Sequence, residues 1–181
     1  MTNTPPTPQS QQIEILTKCV SQHLIIAQEP YVYTGAIAGT PQRWAKWSSK
    51  NKKAVILDPI SLSPVVLTPK ENGIAIKINL NKKPCTIVSA YSSPLEEVEN
   101  TLQDLQEYIN YINNEDFIIG ADLNGQHHNW GYSYTSPRGR AIDNLIGSCR
   151  ATLLNTEDAP PSFIIQMAQW EGQICPFPAH Q

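Results

Sequence analysis

Apolar residues follow more than one rhythm along this chain. Ile13, Leu16, Cys19 and Val20 recur at three- and four-residue spacing, which predicts an amphipathic helix over residues 11–23. The unbroken run Leu24-Ile25-Ile26-Ala27 predicts a buried strand. It delivers Gln28, Glu29 and Pro30 at its C-terminal end, where Pro30 lacks the N–H needed to continue a ladder. Residues 31–53 mix aromatics, glycines and cations without a period and read as a long surface loop. Short β-rich runs follow at 54–57, 63–67, 73–78 and 85–91, with 79–84 (NLNKKP) as a hairpin connection. That is the rhythm of an antiparallel sheet.

The period then changes. Ser93 as N-cap, Pro94 in the first turn, and Glu96 and Glu97 facing the helix dipole predict a helix start. Leu95, Val98, Leu102, Leu105, Tyr108, Ile109 and Ile112 supply its apolar face to about residue 113. Residues 117–121 form another apolar run, ending on Asp122. A further helix is expected over 138–150, with Ile142, Leu145 and Ile146 inward, and a short strand over 152–154. Beyond Pro160-Pro161 the pattern degrades. Strands with intervening helices, rich in hairpins and ending on carboxylates, predict an α/β class with two packed sheets and helices outside.

Composition narrows the function classes. The chain has 181 residues, long enough for one sizeable core, so a single domain is expected with a Pro- and Thr-rich disordered tail over residues 1–10. Its balance of 40% hydrophobic and 16% charged residues is that of a soluble globular protein, with no apolar run long enough for a bilayer. Residues 1–12 resemble neither a secretory signal nor a transit peptide, so the expected location is intracellular. Cys19, Cys85, Cys149 and Cys175 are scattered, which argues against a zinc site and a disulfide framework. The net charge of -3 neither points to nor excludes a nucleic-acid partner, because carboxylates that hold a cation can mask basic patches elsewhere.

Phosphodiester hydrolysis needs a cation against the developing charge, a group to activate water, and donors to the non-bridging oxygens. Glu29, where a strand opens into a loop, suits a hard cation such as magnesium; taken alone, a Glu before a Pro is more often a solvated turn residue. Asp122 and Asn124 lie two apart, so an extended chain would point both to one side; an Asx turn ending the strand is the competing reading. Tyr91 could donate to a phosphate or sit in the core. His127 and His128 could reach substrate or serve the loop. Arg43, Lys46, Lys50, Lys52 and Lys53 interleave with Trp44 and Trp47, the composition of a nucleic-acid backbone contact or of a solvated loop anchored by tryptophans. Arg138 and Arg140 read as decoration of a helix start, with a phosphate contact as the minority reading.

The order of these stretches resembles one family, the endonuclease domain of non-LTR retrotransposons, jockey-like elements in particular, within the endonuclease/exonuclease/phosphatase proteins. The likeness rests on the run from Ile26 to Val32 with Gly35 and Gly39, on Ser89-Ala90-Tyr91-Ser92-Ser93-Pro94, and on the run from Ile119 to Gly131. Looser matches are Arg138-Gly139-Arg140, Leu153-Leu154-Asn155 and Pro161-Ser162-Phe163.

The resemblance implies a four-layered α/β sandwich over residues 11–163 that nicks one DNA strand with Mg2+ or Mn2+, in the nucleus if functional. Glu29 would be the metal ligand, Tyr91 a phosphate-side donor, Asp122 the group acting on water, and Asn124 a transition-state donor. Intact relatives carry a polymerase domain that is not present in this chain. The family's opening Asn-bearing strand and closing Ser-Asp-His box are also expected to be missing: no aspartate follows Asp158, and His180 follows Ala179. Residues 164–181 read as a divergent tail, the sandwich as incomplete. Besides an active or degraded endonuclease, a catalytically dead nucleic-acid-binding remnant and a related phosphatase remain open.

Overall fold

The computed structural model describes residues 24–80, 82–112 and 115–154, and the backbone of 164–167. The tail expected over 1–10 and the helix expected over 11–23 lie outside these residues. In chain order the strands are β1 (Ile25–Gln28), β2 (Val32–Tyr33), β3 (Ala36–Ile37), β4 (Ala45–Ser48), β5 (Ala54–Asp58), β6 (Val65–Val66), β7 (Gly73–Leu80) and β8 (Lys83–Tyr91). Helix α1 (Val98–Tyr111) leads to β9 (Asp116–Asp122), helix α2 (Pro137–Ser148), β10 (Thr152–Leu153) and β11 (Ile164–Met167).

They assemble into a six-stranded sheet of order β10-β11-β9-β8-β7-β6, a three-stranded sheet β1-β5-β4, and the small hairpin β2-β3. The pairing of β8 with β9 is parallel, with α1 as the crossover, and the other pairs are antiparallel. Two-residue alternation sorts the large sheet into two faces. Ala75, Val88, Ala90, Phe117, Ile119 and Ala121 meet Val98, Leu105, Tyr108, Ile142 and Ile146 of the two helices. Ile74, Ile76, Cys85, Ile87 and Ile118 meet Ile26, Trp47 and Ile56 of the small sheet. On the small sheet's other face, Trp44, Val55 and Leu57 collect Ile25, Ala27 and Ile37. The expected α/β sandwich of two packed, mostly antiparallel sheets with helices outside is therefore the observed architecture.

Close approach of the sheets fixes one glycine. A Cβ at Gly120 would stand 2.7 Å from Ile26 Cγ2, inside van der Waals contact, so β9 has no side chain where β1 crosses it.

Four expectations need correction. Residues 31–53 are not a plain loop: they fold as the β2-β3 hairpin and β4, and Trp44 is buried. Periodicity missed them because the pieces are two to four residues long and Trp44 and Trp47 bury in different clusters. Helix α1 starts at Val98, not near Ser93, with Glu97 as an N-cap that makes no side-chain bond. The carbonyls of Ser92 and Ser93 accept from Asn124 and Arg138 instead. That leaves Leu95 94% exposed and off the apolar face. Third, β1 is only partly buried, being an edge strand. Last, the sheet continues past residue 163, because β11 pairs with both β9 and β10.

Candidate active site

Strands β1, β8 and β9 deliver their last residues to one rim. In the parallel pair Tyr91 stands opposite Asp122. The end of β1 is stitched to both strands by one side chain, since Gln28 Nε2 donates to Gly120 O at 3.0 Å and to Ser89 Oγ at 3.4 Å. Ser89 Oγ in turn donates to Ala27 O at 3.3 Å. One residue later, Glu29 adopts a left-handed backbone, φ 48°, and its N–H donates to Lys53 O at 2.7 Å. Such a backbone costs about 1–3 kcal/mol outside glycine and persists only where its surroundings hold it. Here the Glu29 N–H bond to Lys53 O and the Gln28 bonds just before it hold that backbone.

The three side chains feel one another. The Tyr91 hydroxyl is pushed up to about 12, chiefly by burial, then by its hydrogen bond to Glu29 and by the negative charge of Glu29, Asp122 and Glu96. The Lys53 ammonium lies 5.2 Å from the centre of the Tyr91 ring, a cation–π contact. Asp122 is held above the usual carboxylate range, first by burial and further by the Glu29 charge. The backbone N–H of Asn124 and the charge of Arg138 pull it back. Two mutually repelling carboxylates beside a protonated phenol make a place where a cation lowers the energy of everything around it.

Asn124 arrives by a different route from the extended chain expected. After buried Leu123 it takes φ 52°, its N–H donates to Asp122 Oδ1 at 3.2 Å, and its Nδ2 donates to Ser92 O at 3.0 Å. The Asx turn is real, and it is the device that aims the amide. Below it, Gly139 packs so closely that a Cβ there would lie 1.9 Å from Gln126 O, while a Cβ on Gly125 would lie 2.4 Å from Ile142 Cδ1. The loop therefore rests directly on the first turn of α2, whose N-cap Ser136 Oγ accepts from Gly139 N at 2.9 Å.

Arg138 builds the rim in a way that its place at a helix start does not reveal. Its guanidinium donates to Leu123 O at 2.7 Å, Ser92 Oγ at 2.6 Å, Ser93 O at 2.7 Å and Glu96 O at 2.7 Å. It clamps the loop after β8, which follows Tyr91, to the loop after β9, which carries Asn124. The signal was present: a cation in the first turn of a helix opposes the dipole and calls for a compensating partner. Arg140 is exposed.

The other candidates separate. His127 Nδ1 accepts from Asn129 N at 3.0 Å and its ring stacks on Trp130 at 4.8 Å; His128 Nδ1 meets Tyr132 O at 3.0 Å. Both histidines serve the loop. Of the cations, Lys53 stands at the rim, whereas Lys52 donates to Ser48 Oγ at 3.3 Å, Lys46 lies on β4, and Lys50 and Arg43 are exposed. A groove of about 560 Å³ adjoins Lys53 and Glu96, lined by Glu71, Glu97 and Asp104 as well; that acidic wall repels a phosphate chain.

No group of three or more His, Cys, Asp or Glu side chains able to cage a metal occurs among the described residues. The donor set at the rim fits a hard cation held by one or two carboxylates that takes its remaining ligands from water and substrate phosphate, which is the habit of magnesium.

Comparison with known proteins bears on the fold. Residues 85–170 match the family described as endonuclease-reverse transcriptase. That match runs beyond residue 163, so the likeness does not stop where the sequence pattern degrades. The fold is similar to the endonuclease domain of TRAS1, a telomere-specific non-LTR retrotransposon, with TM-score 0.72 and 18% identity over 89% of this chain and 80% of that one. It is also similar to an endonuclease/exonuclease/phosphatase family protein from Leptotrichia buccalis, with TM-score 0.53 and 11% identity over 89% and 83% of the two chains. No curated protein sequence matches. The architecture is the endonuclease/exonuclease/phosphatase fold.

Proposed function

We propose, from the endonuclease-reverse transcriptase pattern over residues 85–170, that this chain is the endonuclease domain of a non-LTR retrotransposon, a metal-dependent phosphodiesterase that nicks DNA. The observation that carries the reading is the meeting of Glu29, Tyr91, Asp122 and Asn124 at one sheet rim, on strand ends far apart in sequence. Glu29 would hold Mg2+ or Mn2+, which when bound neutralises charge developing on the phosphate.

Every other role belongs to the chain. Tyr91, protonated well above neutral pH, offers an O–H to a phosphate oxygen or to the Glu29 carboxylate. Asp122, held above the usual carboxylate range, is a stronger base than a free carboxylate and suits the deprotonation or orientation of water. Asn124 has committed one amide N–H to Ser92 and keeps the second for an oxyanion.

Among the described residues both histidines, His127 and His128, are engaged within their loop, so turnover is expected to be weak. A histidine donor withheld from the phosphate costs about 2.7–4 kcal/mol of barrier, on the order of a hundredfold in rate or more. The DNA partner and the nuclear location follow from the same reading. At the limit, the chain is a nucleic-acid-binding remnant, a second reading favoured by the same engagement of the two histidines. A small-molecule phosphatase is disfavoured by the five cations and no acidic residue of segment 30–53. Incubation of supercoiled plasmid with the chain and magnesium tests the proposal: slow nicking that disappears in Asp122→Ala supports it. Nicking that persists in that variant refutes the assigned site, and its absence at any enzyme concentration leaves the remnant.

A further inference from the structure

The rim carries a feature that the proposed chemistry does not use. Immediately after Glu29 the chain rises into the β2-β3 hairpin, where Tyr31 is 55% exposed and Tyr33 64% exposed. Register explains why the rings stand bare. Val32 pairs with Ile37, whose side chain joins the Trp44 cluster, so that face of the hairpin leans on the protein. Tyr31 and Tyr33 lie on the opposite face. Their cross-strand neighbours are Ala36, paired with Tyr33, and Ala38, whose N–H donates to Tyr31 O at 2.9 Å. An aromatic in a hairpin gains stability from a large neighbour across the ladder, and here both positions are methyl groups. The tip is rigid as well, because Thr34 and Gly35 both take positive φ, 48° and 78°, as a two-residue turn matched to strand twist requires. Two aromatic rings are thus displayed on a preformed support two and four residues from the candidate metal ligand.

Charge selects the occupant. Residues 30–53 contain Arg43, Lys46, Lys50, Lys52 and Lys53 and no aspartate or glutamate, while the groove beyond Lys53 is walled by carboxylates. The charge of that segment, with Lys53 at the rim, favours a polyanion there over the carboxylate-walled groove. Aromatic faces next to a positive segment are the combination that binds bases by stacking while cations hold the backbone.

We infer that the Tyr31/Tyr33 face of the β2-β3 hairpin is a stacking platform for DNA bases or sugars beside the scissile phosphate. The inference rests on the endonuclease reading, and it assigns the hairpin to substrate positioning, not to chemistry. Tyrosine rings release no counterions, so their contribution differs from that of the lysines in its salt dependence.

The test is binding of a fluorescent single-stranded DNA oligonucleotide, whose base faces are free, by the whole chain in chelator, which needs no turnover, measured over a salt series. Tyr31→Ala/Tyr33→Ala is expected to weaken binding by about tenfold or more with the salt slope unchanged, because stacking is lost and phosphate contacts are kept. Tyr31→Phe/Tyr33→Phe, which keeps both rings, is expected to bind as the parent does. Lys53→Ala is expected to lower the salt slope by about one. Alanine variants that bind as the parent does overturn the platform, as do phenylalanine variants that lose binding, or an alanine loss that comes entirely through the salt slope. A parent chain that neither binds nor nicks DNA fails earlier: it overturns the endonuclease reading and the platform with it, and a protein-binding role for the hairpin then takes its place.

Discussion

Arg138→Met is the sharpest test of how the site is built. The substitution keeps length and apolar stem while removing four donated bonds of 2.6–2.7 Å. The bond to Glu96 O is exposed and water can replace it, but those to Leu123 O, Ser92 Oγ and Ser93 O are partly buried, and Ser92 is wholly buried. At about 1 kcal/mol net for each of the three, the loss is roughly 3 kcal/mol. That is a large share of the typical domain stability of about 5–15 kcal/mol. With a urea slope of about 2 kcal/mol per molar, the unfolding midpoint falls by about 1.5 M. Arg138→Lys keeps the charge but not the planar fork that reaches acceptors on two loops, so it recovers less than half. The measurement is urea unfolding followed by tryptophan fluorescence in metal-free buffer. A midpoint shift below about 0.3 M for Arg138→Met, or full recovery by lysine, refutes the clamp.

Three further expectations follow from the same geometry. Gly139→Ala places a methyl group 1.9 Å from Gln126 O, so it must pry the loop from α2; a loss of about 3 kcal/mol or failure to fold is expected, and wild-type thermal stability would contradict the packing. Asp122 has a folded-state pKa raised above its ordinary value, so its ionisation opposes folding once pH rises above the unfolded value. Asp122→Asn should therefore be more stable than the parent at pH 7 without metal, the gain disappearing as pH falls toward 3.8 and below; a less stable variant at pH 7 reverses the sign and sinks the argument. Tyr91 is pushed up to about 12, so parent stability should fall as pH climbs from 10 toward 12, with part of that slope absent in Tyr91→Phe; identical slopes for the two proteins would contradict the assignment.

Sequence made the large pieces legible because they are long and regular. β7, β8, β9 and both helices are long enough for the pattern to emerge, and the strand ends carrying Tyr91 and Asp122 followed from them, while the short apolar run of β1 placed Glu29. The segment 31–53 was illegible for the opposite reason: its strands span two to four residues and bury tryptophans in two different clusters. The start of α1 was misplaced because Ser93-Pro94 satisfies every local rule for a helix cap, while the competing partner, Arg138, lies 45 residues away and local rules cannot see it. For Asn124 the sequence leaves an extended chain and an Asx turn as alternatives, and the structure shows the Asx turn, whose amide is held by an acceptor of the other loop that local pattern does not reveal.

The stitch made by Gln28 bears on when the site comes into being. It joins position 28 to positions 89 and 120, so the strand ends that meet at the rim are separated by long stretches of chain. Closing such loops is slow and late, and these contacts cannot form in a local fragment. Any cation site at the rim is then a property of the finished fold. A metal that binds there draws its affinity partly from the folding equilibrium and returns it as thermal stability, rising with the logarithm of metal concentration once the site is half filled. Melting temperature against magnesium, with Gln28→Ala as comparison, would read the state of the rim independently of turnover.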